Sequence, residues 1–345
     1  MSDNNKSNSI IAVALKRMVL SVFSLLAILL ALEMSARLYM GDRFEGEVVS
    51  EAVVPHPCLM WVLKSVTNGP YMTNELGFRD NRYNPNADFK VLLLGDSVSW
   101  GHGVNDLSAV YPVLAEDSMN RNNTNRVIEI INASVPGYST FQEAEYLRRY
   151  GFALKPDMII LQFCLNDVVE RYSVLANEGG VNYFMGVDTR LFIAGRLGKL
   201  TLNSKLMEFI WRLRVRKARD WQEYQVANLA ADRLSPQIDV AWTKVLGEID
   251  DIRSLAVSNN VPLVLLICPY AFQLKDPAKL CQPQQRLVNY ATSRKLKYVD
   301  LLPVFSGNRN VSDVEGLFID ENHFSRKGHV LAARELVAIV TGVGD

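Results

Sequence analysis

This 345-residue chain has only four cysteines and four histidines, and no charge of either sign in excess: 37 Lys+Arg balance 37 Asp+Glu. Each shortage excludes something. A formal net charge of zero leaves no basic surplus to neutralise phosphates, which argues against nucleic acid as a partner. Cys58, Cys164, Cys268 and Cys281 include no Cys-x-x-Cys pair, so the usual zinc and redox spacings are absent. Cys164 and Cys268 each end an apolar run and read as buried thiols. Cys58 and Cys281 are free to pair if the domain lies in an oxidising compartment, which the sequence leaves open. The glycine loop Gly101-His102-Gly103 lacks the third glycine and the lysine of a phosphate loop, which argues against nucleotide binding. No cofactor is called for.

Long apolar runs are equally scarce. The one with basic residues at its head follows Lys16 and Arg17 and extends from Met18 to Leu32, and on to Ala36 if Glu33 snorkels. That is about 19 residues, enough to span a bilayer. The basic flank favours a cytoplasmic amino terminus. Met34 spoils a small-x-small cleavage site, so an uncleaved anchor is preferred to a signal peptide. The expected organisation is a polar cytoplasmic tail (1–17), a transmembrane anchor (18–36), an irregular connecting segment (37–88) and an extracytoplasmic domain (89–345). Residues 1–9 are expected to be disordered. In the connecting segment, the turn-rich stretch 73–79 is expected to pack on the domain.

What is there is an alternation. Apolar runs at Val91–Leu94, Val127–Ile131, Met158–Phe163 and Val261–Ile267 lack the period-two pattern of half-exposed strands, and a short strand is expected near Tyr298–Leu301. Helices are expected between them over 109–120, 140–150, 237–258 and 284–295, with a last one from Ser325 to Val340. Thr140 and Glu143 match a capping box. Strands alternating with helices imply a parallel sheet covered on both faces. The alternation breaks over 170–236, an insertion of about 65 residues, too long for an ordinary connection. In it Leu202, Leu206, Phe209, Ile210 and Leu213 fall on one helical face, among many Lys and Arg. A solvated helix is the preferred reading; a lid touching anionic lipid is the alternative.

The chemistry gathers at one edge of the sheet. Gly95, placed for a sharp turn, leads to Asp96 and Ser97 just past the end of a central strand. On this stretch alone Ser97 fits a nucleophile and an N-cap serine about equally. The loops after the first three strands bring Ser97, Gly137 and Asn166 to the same edge. A nucleophilic serine needs a base, and only four histidines exist. His323 has Asp320 three residues before it, on a shared face. His329 lies inside the last helix, His102 shows no carboxylate orienter, and His56 sits in a proline-rich stretch. A metal site of Asp320, His323 and His329 matches no standard spacing, so no metal is expected.

Gly95-Asp96-Ser97, Gly137, Asn166-Asp167 and Asp320-x-x-His323 resemble, in order, the four blocks of the SGNH/GDSL hydrolases, over roughly residues 89–340. Two positions depart: Cys164 stands where the third block has glycine, and Val98 where the family name implies leucine. The resemblance implies a flavodoxin-like three-layer α/β sandwich with five parallel strands. It also implies a serine esterase with Ser97 as nucleophile, His323 as general base and Asp320 as its orienter. The oxyanion hole would be the Ser97 and Gly137 N–H groups and the Asn166 side chain, with Asp96 and Asp167 stabilising the loops. The expected partners are an acylated glycan, lipid or small molecule and the membrane, through the anchor and, on the alternative reading, the basic insertion. Anchored relatives are linked to decorating or trimming surface polysaccharides. That keeps an O-acyltransferase open as a rival, with a non-catalytic glycan-binding or assembly protein as a second.

Overall fold

The computed structural model describes residues 2–40, 53–56, 58–69, 71–122, 126–168, 236–307 and 314–342, with 204, 206, 209, 226, 228–231 and 234 between them. A helix runs from Ser2 to Met40 and includes residues 2–9, which were expected to be disordered. Extending a helix that already exists costs far less than starting one. Its segment Val13–Tyr39 is long and apolar enough to cross a membrane, and its apolar side chains point outward. Near its end, the Glu33 carboxylate pairs with Arg37 at 2.9 Å. It also accepts from Ser204 Oγ at 2.7 Å and the Leu206 N–H at 2.9 Å. Tyr39 meets Phe209 edge-on, with ring centroids 5.8 Å apart. The other named insertion residues (Leu202, Ile210, Leu213 and the basic side chains around them) lie outside the described residues.

Within the connecting segment, strands β1 (Val53–His56) and β2 (Met60–Leu63) pair antiparallel. Leu59, Trp61 and Leu63 pack there on Trp100, Val135 and Tyr138 of the larger domain. The Tyr138 hydroxyl donates to the Trp61 carbonyl at 2.6 Å.

The large sheet contains β3 (Phe89–Leu94), β4 (Ile128–Asn132), β5 (Met158–Phe163), β6 (Leu263–Ile267) and β7 (Lys297–Asp300), in the spatial order β4-β3-β5-β6-β7. Every pairing is parallel. Val91 to Leu94 and Ile159 to Leu161 are buried on both faces, which is why these stretches read as unbroken apolar runs. The helices Tyr111–Asn122 and Arg326–Thr341 pack together, as do Thr140–Arg149 and Pro236–Ser258. Right-handed crossovers place the two pairs on opposite faces. Strand order reverses around β3, so the C-terminal ends of β3, β4 and β5 flank the switch point where open sheets hold ligands.

Several boundaries shift by one or two residues from expectation, and two of the shifts have local reasons. β6 begins at Leu263, not Val261, because Pro262 has no N–H for the ladder. The capping box belongs to Ser139 and Gln142, one residue earlier than expected: Gln142 Oε1 accepts from the Ser139 N–H at 3.0 Å. The four cysteines are free thiols, with Cys164 and Cys268 fully buried as expected.

Candidate active site

Gly95 ends β3 against a crowded wall. A Cβ there would collide with Gln162 Oε1 and stand 2.9 Å from Ser99 Oγ and 3.0 Å from Ser134 Oγ. The glycine is therefore needed for room where the chain leaves β3, and its φ is not positive. Asp96 follows and caps the short helix Ser97–Trp100, its Oδ1 accepting the Val98 N–H at 2.9 Å. The cap role is thus taken by Asp96, and Ser97 becomes the first helical residue. Gln162, a polar residue inside an apolar strand, accepts from the Asp96 N–H at 3.1 Å and from Ser99 Oγ at 2.7 Å. It pins the turn from beneath.

Ser97 Oγ lies 2.8 Å from His323 Nε2. His323 Nδ1 lies 2.7 Å from Asp320 Oδ2. Asp320 Oδ1 accepts the N–H groups of His323 at 2.9 Å and Asn322 at 3.1 Å. Partial burial works to raise the Asp320 pKa, but hydrogen bonds and charge from His323, with the two backbone donors, outweigh it. The carboxyl is held well below its usual range and stays ionised at neutral pH. The fold brings these three side chains together across 226 residues of sequence.

The other two candidates come to the same edge. Asn166, nearly buried, donates from Nδ2 to Asp96 Oδ2 at 2.9 Å. Gly137 lies in the turn after β4 with φ of 78°, a conformation that favours glycine. The Val135 N–H just before it donates to the Gly95 carbonyl at 3.1 Å, which ties this turn to the nucleophile turn. Asp167 Oδ2 accepts the Cys164 N–H at 3.3 Å, so the third-block loop closes on itself with cysteine in place of glycine.

The remaining histidines sort out. His56 Nδ1 accepts the N–H groups of Cys58 and Leu59, and Nε2 meets the Tyr150 hydroxyl at 3.1 Å. His329 is buried, accepts the Tyr111 N–H on Nδ1 at 3.2 Å, and is driven down to about 3 chiefly by desolvation. His102 is different, because its ring lies against His323.

Arg79 was not singled out as a site residue. It is fully buried between the rings of Tyr71 and Trp100, 4.9 and 4.8 Å from their centroids. Its guanidinium donates to the carbonyls of Trp100 at 2.9 Å, Gly101 at 2.6 Å, and Val104. Stretch 73–79 thus packs on the domain, and the loop after the nucleophile is fixed by an arginine from outside the sheet.

A family model described as GDSL-like Lipase/Acylhydrolase matches residues 93–331, more than half of the chain. No curated protein matches. Solved structures are similar at low identity. A lipase/acylhydrolase from Enterococcus faecalis is 14% identical, with 74% of this chain and 96% of that one covered and a TM-score of 0.40. Esterase EstA from Pseudoalteromonas sp. is 12% identical, with 74% and 98% covered and a TM-score of 0.39. LAE5, a hydrolase from the metagenome of Lake Arreo, is 14% identical, with 75% and 98% covered and a TM-score of 0.44. These likenesses are remote, and the assignment rests on the domain match. The chain belongs to the GDSL-like lipase/acylhydrolase family of ester-bond hydrolases.

Proposed function

We propose that this chain is a membrane-anchored, extracytoplasmic serine esterase in which Ser97, His323 and Asp320 form the catalytic triad. The observation that carries the reading is the continuous relay from Ser97 Oγ to His323 Nε2 at 2.8 Å and from His323 Nδ1 to Asp320 at 2.7 Å. An ionised Asp320 accepts a hydrogen bond from Nδ1–H, which leaves the Nε2 lone pair facing the serine hydroxyl. Ser97 Oγ attacks the ester carbonyl and its proton passes to Nε2. The carbonyl oxygen becomes an oxyanion, which the Ser97 and Gly137 N–H groups and the Asn166 amide stabilise. Asn166 carries two Nδ2 hydrogens. One is given to Asp96, and the other serves the oxyanion. Collapse breaks the bond to the alcohol, which leaves with the proton from His323. Water, deprotonated by His323, then releases the acyl group and restores the serine.

The proposed organisation has residues 1–17 in the cytoplasm and 18–36 as the anchor, with 37–88 leading to a hydrolase domain (89–345) that carries the insertion (170–236). The apolar helix supports the anchor, and the Lys16-Arg17 flank supports its orientation.

The test is a panel of p-nitrophenyl esters from acetyl to long-chain acyl, offered to the full chain in detergent. Turnover of at least one ester, abolished by Ser97→Ala in a protein with an unchanged thermal transition, is the expected result. Equal turnover by wild type and Ser97→Ala would defeat the reading.

A further inference from the structure

The loop after the nucleophile touches the loop of the base at two places. The His102 and His323 rings lie with centroids 4.5 Å apart and planes inclined by 41°. Trp100 backs His102 from behind, 6.5 Å away at 32°. At the next residue, a Cβ on Gly103 would come 2.8 Å from Ile319 Cδ1, beside Asp320. Gly103 has φ of 76°, a conformation that favours glycine, and the Ile319 tip is what it faces. The His102 loop is itself held firmly. Its N–H donates to the Ser97 carbonyl at 3.0 Å, and Arg79 binds the carbonyls on either side.

We propose that His102 is a positioning residue that keeps the His323 ring in line with Ser97 and steadies the charge His323 gains when it takes the serine proton. The proposal rests on the esterase reading above. The two hydrogen bonds of His323 lie in the plane of its ring, so they set its direction but leave it free to rock about the line joining them. A ring packed on its face opposes that motion. The same face matters electrostatically. A neutral imidazole presents π density to the imidazolium formed in the transition state, within the range of a cation–π contact. A charged His102 would repel it.

Other charged groups lie near this pair among the described residues, Glu321 of the base loop included. Asp320 holds Nδ1 and Ser97 faces Nε2. Arg79 lies under the loop, shifted by burial to about 10. His329 is held neutral within the domain, and Asp106 pairs with Arg326 at 3.1 Å beyond the loop.

The experiment measures p-nitrophenyl acetate hydrolysis and fluorophosphonate labelling rate from pH 5 to 9, on the full chain in detergent. His102→Ala is expected to lower kcat about tenfold with KM within twofold, and His102→Phe, which keeps the ring face, to restore kcat to within about threefold of wild type. His102→Lys should move the acid limb of kcat/KM to lower pH and His102→Glu to higher pH, about one unit apart in total. Such a shift reports that position 102 faces His323, and the Ala and Phe pair tests what the native ring does there. Thermal transitions identify any variant that fails to fold, and the Ala and Phe pair then decides. His102→Ala within twofold of wild type, or coincident acid limbs for Lys and Glu, overturns the proposal. If wild type takes up the probe at Ser97 and the His102 variants match it, the inference alone fails. If wild type does not take up the probe, the esterase reading fails first.

Discussion

Asn166 donates its side-chain amide to Asp96, Nδ2 to Oδ2, at 2.9 Å. The residue before the nucleophile therefore holds the proposed oxyanion donor. The same carboxylate caps the helix that begins with Ser97. One buried acid orients two parts of the candidate site.

Removing the donor should appear in turnover more than in binding, because the contact strengthens as the oxyanion forms. Asn166→Ala is expected to lower kcat about a hundred- to thousandfold, with KM little changed. Asn166→Asp should be at least as harmful, since it sets a second carboxylate against Asp96 and the developing charge. Asp96→Asn keeps a good N-cap but loses the charged acceptor, so a milder fall of about tenfold is expected. Steady-state kinetics on p-nitrophenyl acetate, with thermal melts as the folding control, measures all three. Full turnover in Asn166→Ala would remove it from the oxyanion hole.

Arg79 makes the loop after Ser97 depend on a segment well upstream. Arg79→Met preserves packing between Tyr71 and Trp100 but deprives three carbonyls of their charged donor. Buried groups left unsatisfied cost about 1–3 kcal/mol each. The Gly101 carbonyl keeps the Val104 N–H at 3.2 Å, so two carbonyls are left bare and a loss of at least about 2 kcal/mol is expected, which lowers the melting temperature by roughly 4–8 °C in a domain of this size. Arg79→Lys should recover only part of it, because an ammonium cannot reproduce the fork. Calorimetry decides, and an unshifted Arg79→Met would show that the loop holds its shape without the arginine.

Strands β3, β5 and β6 were legible because they are buried almost throughout and show almost no polar alternation. The helices were legible from their caps and periodicity, with Ser325 capping the last helix through the Gly328 N–H as expected. His323 and Asp320 could be picked out because histidine is scarce and the acid sits one turn away. Other parts depend on packing that no local pattern carries. Ser139-x-x-Gln142 and Thr140-x-x-Glu143 both fit a capping box, and only the fold chooses between them. Arg79 reaches the Trp100 carbonyl across 21 positions, and His102 meets a residue more than 200 positions away. Gln162 did leave a signal, as the one amide in an otherwise apolar strand. Val53–His56 and Met60–Leu63 contain proline or are very short, and each is a strand only because it pairs with the other.

Glu116 supplies a pH dependence of stability. Burial pushes its carboxyl up to about 7, against the Ile130 N–H it accepts at 2.6 Å and with added repulsion from Glu129. The folded state keeps a proton that the unfolded state releases near pH 4.5. Stability from this group is therefore complete below that pH, falls as pH rises toward 7, and is flat beyond. The difference amounts to about 3 kcal/mol at most. Glu116→Gln keeps an acceptor for Ile130 without the charge. Its melting temperature should exceed wild type at pH 8 and match it near pH 5; parallel curves at both pH values would show that Glu116 is not the group responsible.

The topology proposal predicts that a reporter active only in an oxidising compartment works when fused after Asp345. Activity of a cytoplasm-only reporter at the same place would reverse the orientation.

The central claim is that Ser97 is a nucleophile activated by His323 and Asp320. Its most direct measurement is covalent labelling by a fluorophosphonate, with the modified residue located by peptide mass spectrometry. The account predicts one adduct, on Ser97, formed at least a hundredfold more slowly in His323→Ala and absent in Ser97→Ala. An adduct on another residue, or labelling of Ser97 at an unchanged rate in His323→Ala, would contradict it.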